Sequence, residues 1–265
     1  MHLQRRPLAG LPGGRKAAFM FLTAALSAAW PERAAIPMLY GYLPSLLDGA
    51  WVTLRIAVFS LLLALVLGLI GASSRLSPNR LLRLPATAYT TIVRGIPDLV
   101  MMLLIFYGGQ VGINVITDAL GLEYVDVNPF VAGVVTLGFI FGAYFTETFR
   151  GAFMAVPAGQ LEAGRAYGMS RWQVFSRILF PQMLRHALPG LGNNWQVMQK
   201  STALVSIIGL SDITWLADQA GRTTHEPFLF YAVVCVFYLA LTALSGLVFN
   251  WLERRYSVGV RRASA

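Results

Sequence analysis

Apolar residues run in membrane-length stretches along most of this chain, and polar positions gather between them in short basic or acidic groups. Five stretches are long enough to cross a bilayer, which takes about 20 apolar residues: Ala50 to Ala72, Ala86 to Gly108, Pro129 to Phe149, Ala187 to Leu210 and Pro227 to Leu252. The pattern predicts an all-α polytopic membrane protein. The second and fourth stretches are the least regular. Arg94-Gly95-Ile96-Pro97-Asp98 interrupts one and Gly190 to Lys200 opens the other, so these helices are expected to be broken or to lie against a protein-lined cavity.

Between the third and fourth stretches lies a different pattern, VPAGQLEAGRAYGMSRWQVFSRILFP, from Val156 to Pro181. Pro157 suits a first helical position, and Gly168 suits a left-handed residue that stops the helix about three turns later. Ser170 with Gln173 reads as a capping box, Met169 with Val174 as a hydrophobic staple, and Pro181 as the end of the second helix. Trp172, Phe175 and Leu179 fall on one side, and Arg165, Arg171, Arg177 and Arg185 surround the hairpin. A polar helical hairpin in such a chain is either a basic loop obeying the positive-inside rule or a docking element for a partner outside the membrane.

Charge fixes the expected orientation. Arg75, Arg80 and Arg83, the hairpin arginines, and Arg254, Arg255, Arg261 and Arg262 belong in the cytoplasm, C-terminus included. The connection Gly109 to Asn128 holds only Asp118, Glu123 and Asp126, and Ser211 to Glu226 holds Arg222 as its one Lys or Arg; both are expected outside. Residues 1 to 37 stand apart: Arg5, Arg6, Arg15 and Lys16 precede the short apolar run Ala17 to Trp30. That layout fits an export signal, a sixth helix, or an upstream start not used in the cell, with Met38 as a natural start.

Composition narrows the classes. Hydrophobic residues make up 56% of the 265 and charged residues 12%, with a mean hydropathy of +0.61, which excludes an ordinary soluble enzyme. The net charge of +9 sits beside apolar runs instead of forming a stripe with aromatics, so no nucleic acid is expected. Cys235 reads as a small buried apolar group, and His2, His186 and His225 lack metal-ligand spacing. The chain has no G-x-x-x-x-G-K-[ST] loop for ATP, so it is not expected to be an enzyme itself.

Glu162, Ala163, Gly164, Gly168 and the closing Ile178-Leu179-Phe180-Pro181 resemble the coupling loop of bacterial ABC importer membrane subunits. Gly164 stands where that pattern usually has Ala. Further stretches, MLYGYLPSLLDGAWVTLRIA, TTIVRGIPDLVMMLLIFYG, TLGFIFGAYFTETFRGAFMAVPAGQLEAG, LPGLGNNWQVMQKSTALVSIIGL and LERRYSVGVRR, are similar to the polar amino acid group of those importers, in particular the histidine, lysine, arginine and ornithine permeases. The resemblance implies a type I ABC importer permease fold over residues 38–265, with 1–37 as an extension. It implies an inner-membrane subunit that imports basic L-amino acids, with basic opines or a neutral polar amino acid as alternatives. It also implies partners: a second permease subunit, a cytoplasmic ABC ATPase dimer carrying ATP and magnesium, a periplasmic amino-acid-binding protein, and surrounding lipid. Glu162, Ala163, Gly168, Ile178 and Pro181 take the ATPase-coupling positions.

Charged groups within the spans are the candidate substrate residues, because each costs on the order of a few kcal/mol unless paired or facing water. Arg94 and Asp98, four apart, either satisfy one another on one helix face or leave Asp98 to face a cationic substrate side chain. Glu147 lies near Arg150 and is either structural, part of a gate, or a substrate contact; Lys200 either holds a substrate carboxylate or pairs with a helix end. A membrane scaffold or sensor would also use a docking hairpin but needs no charge in its spans, and an intramembrane enzyme would need a nucleophile with a base, which is not found.

Overall fold

A computed structural model describes residues 35–256. The expected signal-like run Ala17 to Trp30 and the tail residues Arg261 and Arg262 lie outside them. The chain divides after Pro44, and the first unit is described only as the start of the first helix; the second unit begins at Ser45.

Helix α1 spans Ala35–Leu76. Helix α2, Arg80–Gly95, begins where the Asn79 side chain accepts the Leu81 N–H at 2.9 Å and ends at Ile96, whose backbone is extended. The cause is Pro97: a residue before proline is pushed out of the helical region. Helix α3, Asp98–Ala119, restarts at once with Pro97 as its cap. The stretch read as one interrupted span, Ala86 to Gly108, is therefore parts of two helices, and α3 runs on past Gly108 to Ala119, into the expected loop.

Helix α4, Pro129–Met154, is the centre of the unit: Asn128 caps it, and 61% of its most apolar window is buried, against 11% for α3 and 6% for the last helix. Its small residues admit α1 closely. A Cβ on Gly68 would stand 2.6 Å from the Phe145 Cβ, and one on Gly138 would stand 2.6 Å from Leu63 Cδ2, so dispersion and close packing hold the pair where lipid offers no hydrophobic drive.

In the hairpin, Pro157 is the cap of α5, Ala158–Ala166, one position before that expected. Gly168 has φ +80°, and the Met169 N–H donates to Gly164 O at 3.1 Å, closing the helix in a Schellman turn. Ser170 and Gln173 form the expected reciprocal box at the start of α6, Arg171–Val174. Pro181 does not end the second arm. The helix passes through a π-helical turn, Phe175–Leu179, into α7, Phe180–Ser201. Widening the turn ahead of a residue that lacks an N–H relieves its clash with the preceding carbonyls.

Helix α7 is continuous from Gly190 to Lys200, so of the two expected alternatives it is not the broken one, and a 3-10 turn, Thr202–Ile208, follows it to Gly209 at φ +85°. Its polar face of Gln and Asn residues explains why four helices, not five, are long and apolar enough to cross a membrane among the described residues. The expected outer loop Ser211 to Glu226 holds a helix of its own, α8, Ile213–Thr224, capped by Asp212; α9, Pro227–Tyr256, follows. Helix α4 packs on α2, α3 and α7, and α9 packs on α7 and α8. Cys235 is exposed, not buried, because α9 turns most of its apolar surface away from the rest of the chain.

Candidate functional site

Two places in the unit concentrate the expected functional residues. The first is the hairpin. Its apolar residues split by position: Gly164 and Val174 are buried between the arms, whereas Tyr167 is 88% and Trp172 70% exposed. Trp172 stacks on Phe175 at 5.6 Å, and Phe175 meets Phe180 at 5.9 Å, so a row of aromatic rings crosses the outer surface of the hairpin. Glu162 and Ala163 are exposed on α5, Gly168 at the turn and Pro181 on the second arm; Ile178 points back, its Cδ1 2.6 Å from where a Gly164 Cβ would stand. The missing methyl at Gly164, where the resembled pattern has Ala, is thus filled by Ile178. Exposed rings on a rigid, doubly capped hairpin form a surface suited to a groove on another protein.

The second place is the break between α2 and α3. Arg94 and Asp98 do not share a helix face, because the chain turns between them at Ile96 and Pro97, and they make no ion pair with each other. Both converge instead on Tyr144 of α4. The Arg94 guanidinium carbon lies 5.4 Å from the ring centre, and the Tyr144 hydroxyl lies within interaction range of the Asp98 carboxylate. Asp98 is half-buried in the first turn of α3, where the helix dipole favours a negative charge. A single carboxylate at a helix N-terminus beside a hydroxyl is a negative point able to attract a cation in surroundings of reduced dielectric.

Glu147 lies one turn from Tyr144 on α4, and both its oxygens are engaged. Arg75 of α1 donates to Oε1, and Arg150 donates through Nε to Oε2 at 2.9 Å. Arg75 also donates to the Thr90 hydroxyl of α2 at 2.9 Å. Lys200 lines a different feature, a surface cavity of about 510 Å³ shared with Thr214, Tyr238 and Thr242. The structure therefore joins Asp98 to Tyr144 and Arg94, joins Glu147 to Arg75 and Arg150, and places Lys200 at a cavity that none of them lines. Tyr144 and Thr90 escaped the sequence reading, and Arg75 entered it only as a cytoplasmic loop charge; the helical spacing of Tyr144 and Glu147 within one apolar span was the available signal.

Residues 64–258 match the family model of the binding-protein-dependent transport system inner membrane component. The histidine/lysine/arginine/ornithine transport system permease protein HisQ of Escherichia coli (strain K12) is 59% identical over 227 residues, 85% of this chain and 99% of that protein. The arginine ABC transporter permease protein ArtQ of Haemophilus influenzae is 40% identical, covering 83% of this chain and 97% of its own length. Among solved structures, an amino acid ABC transporter crystallised with histidines superposes with a TM-score of 0.70 at 31% identity, over 82% of this chain and 96% of that one.

Proposed function

The chain belongs to the family of binding-protein-dependent transport system inner membrane components, and from that premise we propose that it carries basic L-amino acids inward through a bacterial cytoplasmic membrane. The substrate class comprises histidine, lysine, arginine and ornithine. The observation that carries this reading is Asp98, a carboxylate presented at a helix break by Tyr144 and the α3 N-terminus, in a chain 59% identical to a permease protein of a histidine, lysine, arginine and ornithine system. In the folded subunit, residues 38–265 form the transmembrane domain, and the C-terminus and hairpin face the cytoplasm beside their arginines.

A periplasmic binding protein delivers the amino acid, and a second permease subunit completes the pathway. ATP is hydrolysed with magnesium on a cytoplasmic ATPase dimer seated against the hairpin through Glu162, Ala163, Gly168, Ile178 and Pro181. The exposed Tyr167 and Trp172 support a protein partner at this surface. Asp98 meets the cationic side chain of the substrate. Lys200 meets a substrate carboxylate only if its cavity opens to the pathway, and Glu147, with both oxygens engaged, contributes to the site indirectly.

Asp98→Asn in the reconstituted importer tests this reading, because it keeps the shape and removes the charge. Uptake of lysine and arginine is expected to fall at least tenfold, equivalent to about 1.4 kcal/mol, with the complex still assembled. Unchanged uptake would contradict the role of Asp98. So would a subunit that fails to accumulate until Arg94 is also neutralised, since the carboxylate would then be a structural partner of Arg94.

A further inference from the structure

Arg75 and Thr90 have no part in the proposed function, yet they bind α4 at Glu147, between Tyr144 and the hairpin end of that helix. Arg75 stands in the last turn of α1 and reaches two other helices: the Glu147 carboxylate on α4 and the Thr90 hydroxyl on α2. Arg150, one turn further along α4, closes the other side of the same carboxylate at 2.9 Å. The side chains of Arg75 and Glu147 are 21% and 17% exposed, and Thr90 is buried, so the clamp is partly withdrawn from water. Its members sit one helical turn from the Asp98 cluster on two separate helices. On α2, Thr90 is four residues from Arg94; on α4, Glu147 is three residues from Tyr144. The two helices are therefore bridged by consecutive polar rungs, Thr90–Arg75–Glu147 and Arg94–Tyr144–Asp98. Beyond Arg150, α4 ends at Met154 and leads within three residues to Pro157 and the hairpin.

We propose that Arg75 and Thr90 are positioning residues that lock α1 and α2 to α4 through Glu147, so that movement of the hairpin end of α4 moves Arg94 and Asp98 with it. The inference rests on the proposed transport function and assigns its coupling to named side chains. A salt bridge partly withdrawn from water transmits displacement because separating it leaves an uncompensated charge, a cost larger than that of moving the neighbouring helix with it.

The test uses the whole importer in proteoliposomes, with ATPase measured with and without the arginine-loaded binding protein and uptake measured in parallel. Arg75→Gln and Thr90→Val are expected to keep the basal ATPase rate. Stimulation by the loaded binding protein should fall at least fivefold in Arg75→Gln and at least twofold in Thr90→Val, with the half-saturating arginine concentration for uptake unchanged. The losses in Arg75→Gln and Glu147→Gln should not add in the double variant, because the two share one contact, and Arg150→Gln reports separately on the other pair of Glu147. If Arg75→Gln fails to assemble, the nearly isosteric Thr90→Val decides alone. Wild-type stimulation in the assembled variants would overturn the proposal, as would a fall in basal and stimulated rates by the same factor, the signature of a merely structural clamp. A wild-type complex that arginine-loaded binding protein never stimulates would instead contradict the proposed function.

Discussion

Tyr144 sets its hydroxyl near Asp98 and the face of its ring against Arg94, so the two interactions can be separated by one atom. Tyr144→Phe keeps the ring and removes the hydroxyl; arginine uptake should fall about threefold to tenfold, the range for losing one ordinary polar contact, and Tyr144→Leu should fall further as the cation–π contact goes too. Initial uptake rates on matched amounts of complex decide this, and equal losses in both variants would contradict it. Asp212, a fully buried carboxylate, acts differently. It caps α8 by accepting the Trp215 N–H at 2.8 Å, and burial pushes its carboxyl up to about 6 from 3.8. A carboxyl raised on folding makes its charge a penalty at neutral pH, relieved as pH falls through about 6 and gone below the unfolded value. The thermal midpoint in detergent should therefore rise between pH 7 and pH 5 more in the native chain than in Asp212→Asn, and parallel profiles would contradict this. Asp98 was legible as a rare charge in an apolar run. Tyr144 was not, because a tyrosine among apolar residues carries no mark of what faces it, and Arg94 and Asp98 at helical spacing looked like a pair until the Ile96–Pro97 break separated them.

At the scale of elements, the hairpin shows which signals are local and which are not. The capping box at Ser170 and the left-handed Gly168 follow from chemistry within a few residues, and both were readable. Pro181 was misread as a stop because a proline in isolation ends a helix; here the π turn at Phe175–Leu179 lets the chain continue, anchored by Leu179 against the core. Gly168→Val places a β-branched residue at φ +80°, a strain of about 1–2 kcal/mol or more, and should leave the subunit in the membrane while cutting uptake at least tenfold. Pro181→Ala restores an N–H and permits an ordinary α turn, which would rotate the first residues of the second arm by roughly 100°. Trp172 would then leave its row, and the amount of ATPase subunit co-purifying should drop. Full retention in Pro181→Ala would show that the bulge does not set the docking surface.

For the whole molecule, hydropathy alone disclosed an all-helical membrane protein, because lipid forces backbone groups to pair within each segment. It did not disclose that α4 is the buried centre and α9 the exposed flank, since both are apolar throughout and differ only in what packs on them. The same helical unit that is compact around α4 turns the faces of α3 and α9 outward, as befits one subunit of a larger assembly in lipid. The central claim is that this subunit passes basic amino acids under the power of a partner ATPase. The direct measurement is uptake of labelled arginine, lysine, histidine and leucine into proteoliposomes containing this chain with its second permease and ATPase, loaded with ATP and supplied with the binding protein. The account expects ATP-dependent accumulation of the three basic amino acids and none of leucine. Accumulation of leucine without them, or equal accumulation in the absence of ATP, would contradict it.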